Sequence, residues 1–222
     1  MSYQQVEKVV TQLAALQSMY WDNDRLAALD WMPTGNNWEE AFDDDYWASF
    51  VENYGSVFGE AGIAAGETFR HQIHWIEQEL HKAPKTICHY DLREDNMMFG
   101  PVGTSDEFIL LDWQAALQFC GVYDVVRLMA GSETALQRRG HHLEILRCWY
   151  QALLDNGIST YPYEQALRDF KLCALSFCTI PVYFHKPCLG SAEERAPKLI
   201  ATIAERAFAT VVELDAVSVL PH

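Results

Sequence analysis

The chain has 222 residues, half of them hydrophobic and 13% aromatic, with 16 Lys and Arg against 31 Asp and Glu for a formal net charge of -15. This is enough apolar side chain for one domain with a large core, which excludes a disordered chain. The charge repels phosphate backbones and anionic lipid surfaces, so neither nucleic acid nor a membrane is an expected partner, and a cationic or neutral small molecule fits better.

No apolar run is long enough to span a bilayer. The opening M-S-Y-Q-Q-V-E-K lacks the basic-then-apolar layout of a secretion signal. A cytoplasmic location follows, and Cys88, Cys120, Cys148, Cys173, Cys178 and Cys188 read as reduced thiols. Cys173, Cys178, His185 and Cys188 cluster in sequence, but their spacing fits no standard zinc pattern, and buried structural thiols are the simpler reading.

In chain order, Val6, Val9, Val10, Leu13, Leu16 and Tyr20 recur at helical spacing, which predicts a helix over 4–21. Asp22–Asp24 breaks it, and Pro33–Asn37 is a loop by its turn chemistry. A second helix is predicted from Trp38 to Phe58, carrying Glu39, Glu40, Asp43, Asp44 and Asp45 near its start. Those acids read as a solvated face suited to a helix N-terminus, or as a dock for a cationic substrate. A third helix runs from Glu67 to Lys82, and Pro84 ends it. Two apolar β-type runs follow, Thr86–Cys88 and Phe108–Leu111, read as the arms of one hairpin with a turn at Gly100–Asp106. Beyond Trp113 the pattern is helical: from Tyr123, then Leu136–Leu154, then Tyr163–Phe184 with Pro181 kinking or ending it, then Ala192–Leu214. The sum is an α+β fold, mostly α-helical, built round a small hairpin.

The chemistry concentrates in that hairpin. Asp91, Asn96 and Asp112 follow strand-like segments, where a buried polar group is costly unless it has a partner. Two carboxylates and an amide at such positions suit a hard divalent cation and one base, the set that phosphoryl transfer needs. Asp91 would deprotonate an acceptor hydroxyl; Asn96 and Asp112 would supply metal oxygens. His89 reads as a brace, since Asp91 already fills the base role. Asp95 reads as solvent-facing, and Arg93 as facing either a phosphate or a nearby acid.

His89-Tyr90-Asp91-Leu92-Arg93-Glu94-Asp95-Asn96 also keeps the H-x-D-L-x-x-x-N spacing of the protein-kinase catalytic loop. The chain resembles the aminoglycoside phosphotransferase and choline kinase superfamily, in particular its ecdysteroid-kinase-like branch. The resemblance rests on C-H-Y-D-L-R-E-D-N-M-M-F, L-L-D-W-Q and G-V-Y-D-V-V-R-L-M, with weaker echoes in T-Q-L-A-A-L-Q-S-M-Y-W and L-D-A-V-S-V-L-P. It implies a kinase-like C-terminal lobe over 1–222 with Asp91 as base, and with Asn96 and Asp112 holding Mg²⁺ and, through it, ATP. It further implies that Asp124 starts a helix supporting the catalytic loop. Tyr90 stands where the family commonly has glycine, so a positive φ there would strain it. Nothing before Thr86 resembles the family's strand-rich nucleotide lobe; Gly55, Gly59, Gly62 and Gly66 form no phosphate loop. The expectation is a C-lobe without its N-lobe, completed by a partner chain or a homodimer. Two functions follow: an ATP-dependent phosphotransferase acting on a small-molecule hydroxyl, or an inactive kinase-like remnant that binds a metal or a protein.

Overall fold

The computed structural model describes residues 1–35, 42–100, 108–132, 140–189 and 195–221. Nine α-helices and four short strands are described: α1 (Tyr3–Ser18), α2 (Asp24–Ala27), α3 (Asp44–Phe69), α4 (Ile73–Lys82), β1 (Lys85–Cys88), β2 (Met97–Phe99), β3 (Phe108–Leu110), β4 (Leu117–Cys120), α5 (Val122–Ser132), α6 (His142–Asp155), α7 (Tyr163–Phe177), α8 (Thr179–Cys188) and α9 (Arg195–Glu213). The α+β, mostly helical class expected from the sequence is what is found.

The single hairpin is corrected to two nested ribbons. Strand β1 pairs antiparallel with β4, Cys88 opposite Leu117. Inside it β2 pairs antiparallel with β3, Met97 opposite Leu110. The runs Thr86–Cys88 and Phe108–Leu111 therefore do not pair with each other. The chain after Trp113 is also not all helix, because β4 intervenes. Its four residues, Leu117, Gln118, Phe119 and Cys120, are all buried, so the alternation that marks a half-exposed strand is missing.

Helix boundaries moved for identifiable reasons. Asn23, expected to break the chain, instead caps α2 through its side chain. Asp43 caps α3, and Trp38–Ala41 lies outside the described residues. The predicted stop at Phe58 is a kink: Gly59 has φ 71°, and helix resumes beyond it. A 3₁₀ turn at Arg70–Gln72 interrupts the stretch predicted as Glu67–Lys82. The Tyr163–Phe184 helix divides at Cys178. Pro181 explains this, because its ring meets the carbonyl four residues back, at Phe177.

The core joins α1, α3, α5, α6, α7 and α9 around the outer ribbon. Gln17 ties three of these layers together while fully buried. Its Nε2 donates to the Gly121 carbonyl at 3.0 Å, its Oε1 accepts from the Trp149 indole at 2.8 Å, and its carbonyl accepts from Thr86 Oγ1 at 2.7 Å. The cysteines are all free; His185 is engaged by Val182 and Ser49, and no group of three or more His, Cys, Asp or Glu suited to a metal forms among the described residues. No described helix is long and apolar enough to cross a membrane.

Candidate active site

The loop between β1 and β2 hangs on one buried carboxylate. Asp124, in the first turn of α5, is fully buried. Its two oxygens accept the backbone N–H groups of His89 and Tyr90, each at 2.8 Å. Burial pushes the Asp124 carboxyl up, to about 6, against the pull of those two amides and of nearby His89 and Arg127. The expected strain at Tyr90 is real: its φ is 67°. A left-handed side-chain-bearing residue costs about 1–2 kcal/mol. The Tyr90 ring offsets this by stacking on Tyr123 at 4.3 Å and 8°, with Phe119 edge-on to it.

His89 is fully buried and braces the other side of the loop. Its Nε2–H donates to the Leu111 carbonyl at 2.8 Å, and its ring lies 4.7 Å from that of Trp113. That bond assigns the proton to Nε2, leaving Nδ1 as a buried acceptor with no hydrogen-bond partner. Held between the Leu111 carbonyl and the Trp113 ring, His89 is positioned as a brace for the loop.

Asp91 emerges from this frame with its side chain 29% exposed. Arg127 Nη2 donates to Oδ1 at 2.5 Å, while Asn96 Nδ2 at 3.0 Å and Arg93 Nε at 3.3 Å donate to Oδ2. Burial works to raise this carboxyl, but the charges and hydrogen bonds of Arg127, Arg93 and Asn96 outweigh it and hold it below the ordinary aspartate range. Asp91 is thus ionised and acceptor-only at neutral pH. Arg93 also reaches Asp95 at 2.9 Å, so it pairs with acids, and Asp95 is solvent-facing.

Asn96 donates from Nδ2 to both the carbonyl and the side chain of Asp91. Its Oδ1 is left without a donor among the described residues. Its backbone carbonyl accepts from Leu111 N at 2.8 Å, which brings the end of β3 alongside the loop. Asp112 follows at once, in a left-handed conformation (φ 62°, ψ 62°) and exposed. Asp91 and Asn96 are therefore in contact, while among the described residues Asp112 is linked to them only through its chain neighbour Leu111, whose N–H meets the Asn96 carbonyl. Two acceptor oxygens on Asn96 and Asp112 suit Mg²⁺, which keeps several waters and takes its other ligands from phosphates. The inner hairpin presents an apolar face: Met98 and Ile109 are cross-strand partners about 60% exposed, and Leu111 and Trp113, at its end, are each 39% exposed.

Arg127 was not singled out in the sequence, although it stands three residues after Asp124 and so shares its helical face. The acidic run is accounted for locally where it is described: Asp43 caps α3 and Asp44 pairs with Arg70. Glu39 and Glu40 lie outside the described residues. A groove of about 570 Å³ between α1 and α6, lined by Glu7, Thr11, Cys148 and Tyr163 among others, shares no residue with the Asp91 cluster.

No curated protein matches the sequence. The crystal structure of choline kinase LicA from Streptococcus pneumoniae is similar, with a TM-score of 0.48 and 16% identity over 93% of this chain and 64% of that one. The chain thus spans just under two thirds of that protein's length. A family model matches residues 71–207, which include His89, Asp91, Asn96, Asp112, Asp124 and Arg127. The chain belongs to that family, DUF1679, described as Uncharacterized oxidoreductase dhs-27.

Proposed function

We propose that this protein is an ATP-dependent phosphotransferase acting on a hydroxyl of a small molecule. The observation that carries this reading is the contact between ionised Asp91 and Asn96, on a loop whose backbone is fixed by buried Asp124. Asp91 accepts the proton of the acceptor hydroxyl. Asn96 Oδ1 and the Asp112 carboxylate would hold Mg²⁺, and the exposed face of Met98 and Ile109 on the same hairpin would take an apolar part of the nucleotide or substrate. When bound, Mg·ATP supplies the γ-phosphoryl group, whose bond to the bridging oxygen breaks as the acceptor oxygen bonds to phosphorus. His89 and Asp124 hold the loop and do not react. The reaction belongs in the cytoplasm and involves neither nucleic acid nor membrane.

The family's description names an oxidoreductase. Dinucleotide folds place their ligand at the carboxyl ends of a parallel sheet. The described strands form only antiparallel ribbons, with one parallel bridge between Thr34 and Gln118, so phosphoryl transfer is the better-supported chemistry.

A second reading is a kinase-like fold that binds without transferring. It is favoured by the engagement of both Asp91 oxygens by Arg127, Arg93 and Asn96. A screen of hydroxyl compounds with Mg·ATP, run on the wild type and on Asp91→Asn, separates the two. Turnover that Asp91→Asn abolishes while the variant still binds Mg·ATP supports transfer; wild-type binding without turnover supports the second reading.

A further inference from the structure

Arg127 sits in a costly position. Its side chain is 10% exposed, and its guanidinium lies 5.3 Å above the Phe177 ring. Nη2 is bonded to Asp91, yet Nη1 is buried with no hydrogen-bond partner. A buried donor without an acceptor is retained only if the group that carries it is needed where it stands.

The space for that donor comes from Gly131. A Cβ built on Gly131 would lie 2.2 Å from Arg127 Nη1 and 3.1 Å from Arg93 Cβ. The glycine is inside α5 with no positive φ, so its backbone does not require glycine. Its carbonyl is held in turn by Arg206 Nη1 at 3.0 Å, from α9. The main obstacle to alanine at 131 is thus the far end of the flexible Arg127 side chain, with the Arg93 Cβ having to give by a few tenths of an ångström, and a helix otherwise prefers alanine to glycine.

We infer that Gly131 is the seat of the Arg127 guanidinium, and that Arg127 is the positioning residue that fixes the Asp91 carboxylate for proton abstraction. This rests on the phosphotransferase reading for its catalytic half and on geometry alone for the seat. Arg127 touches no reacting atom; it acts through Asp91, by occupying Oδ1 so that the carboxylate presents one orientation to the acceptor.

Gly131→Ala tests this, because it changes neither the base nor a metal ligand. Three readouts are needed: thermal unfolding, a crystal structure of the variant, and kcat with Mg·ATP together with Mg·ATP affinity by calorimetry. Water serves as the acceptor until a substrate is found. The expected result is an unfolding temperature equal to or above wild type, an Arg127 guanidinium moved off Asp91, and unchanged Mg·ATP affinity. With a base displaced by about an ångström, kcat falls about 10- to 100-fold. Arg127→Lys in the Gly131→Ala background restores part of that loss, since lysine keeps the charge and has no Nη1 to collide with Ala. Wild-type kcat in a variant whose Arg127 has left Asp91 overturns the positioning role. An unmoved Arg127 in that variant overturns the seat. Absence of wild-type turnover with water and across the screen of hydroxyl compounds removes the phosphotransferase reading and the catalytic half of the inference with it, while the variant's Arg127–Asp91 distance still decides the seat.

Discussion

Asp124→Asn perturbs the anchor of the candidate loop, and its effect depends on pH in a direction that can be worked out. Asp124 ionises at 3.8 when exposed and at about 6 when buried. A carboxyl raised on folding adds stability that is fully present below the unfolded value and is lost as pH rises through the folded one. For this shift the linkage gives wild type about 2 kcal/mol more stability at pH 4.5 than at pH 7.5 from this group. Asparagine does not titrate and loses that gain. It also offers one acceptor oxygen to the two N–H groups of His89 and Tyr90, at a cost of about 1–3 kcal/mol for the donor left unpaired. The assay is urea unfolding of both proteins at the two pH values. The account predicts that the variant is the less stable at both, and that the gap widens at the lower pH. A gap that stays constant, or narrows as pH falls, would refute a buried, raised Asp124 holding the loop.

Three further outcomes follow from the same frame. Tyr90→Gly relieves about 1–2 kcal/mol of backbone strain but deletes a buried ring stacked on Tyr123, a loss of about 3–5 kcal/mol for an aromatic truncation; unfolding should show a net loss, and a gain would mean the stack is idle. Gln17→Ala removes the side-chain bonds to Gly121 and Trp149 and should cost about 2–4 kcal/mol of unfolding free energy, with an effect under about 0.5 kcal/mol contradicting its role as a tie between layers. His89→Gln, keeping a donor toward the Leu111 carbonyl, should retain most activity, whereas His89→Ala should weaken the loop; equal, complete loss in both would point to a chemical role for the imidazole.

The candidate site was legible because its parts lie close in sequence. Asp91 and Asn96 stand five residues apart and meet within one short loop, so their contact was readable from spacing, whereas the loop's own support comes from Asp124 and Arg127 on α5, of which the sequence reading named only Asp124. The pairing of the strands was not legible. Met97–Phe99 and Leu117–Cys120 are three and four residues long, the first apolar throughout and the second buried along its whole length, too short for a period to stand out. Arg127 escaped notice because its value lies in a long-range contact with Asp91, thirty-six residues away, and in the missing side chain of Gly131. No local pattern encodes the coincidence of a glycine on one turn and an arginine on the last.

The most direct measurement is a calorimetric titration of ATP into the protein with and without Mg²⁺, repeated on Asn96→Ala and Asp112→Asn. The account predicts Mg²⁺-dependent binding in wild type that weakens at least about tenfold, roughly 1.4 kcal/mol, in each variant. Binding that ignores Mg²⁺, or that both variants retain at wild-type strength, would contradict a metal–nucleotide site built on these two residues.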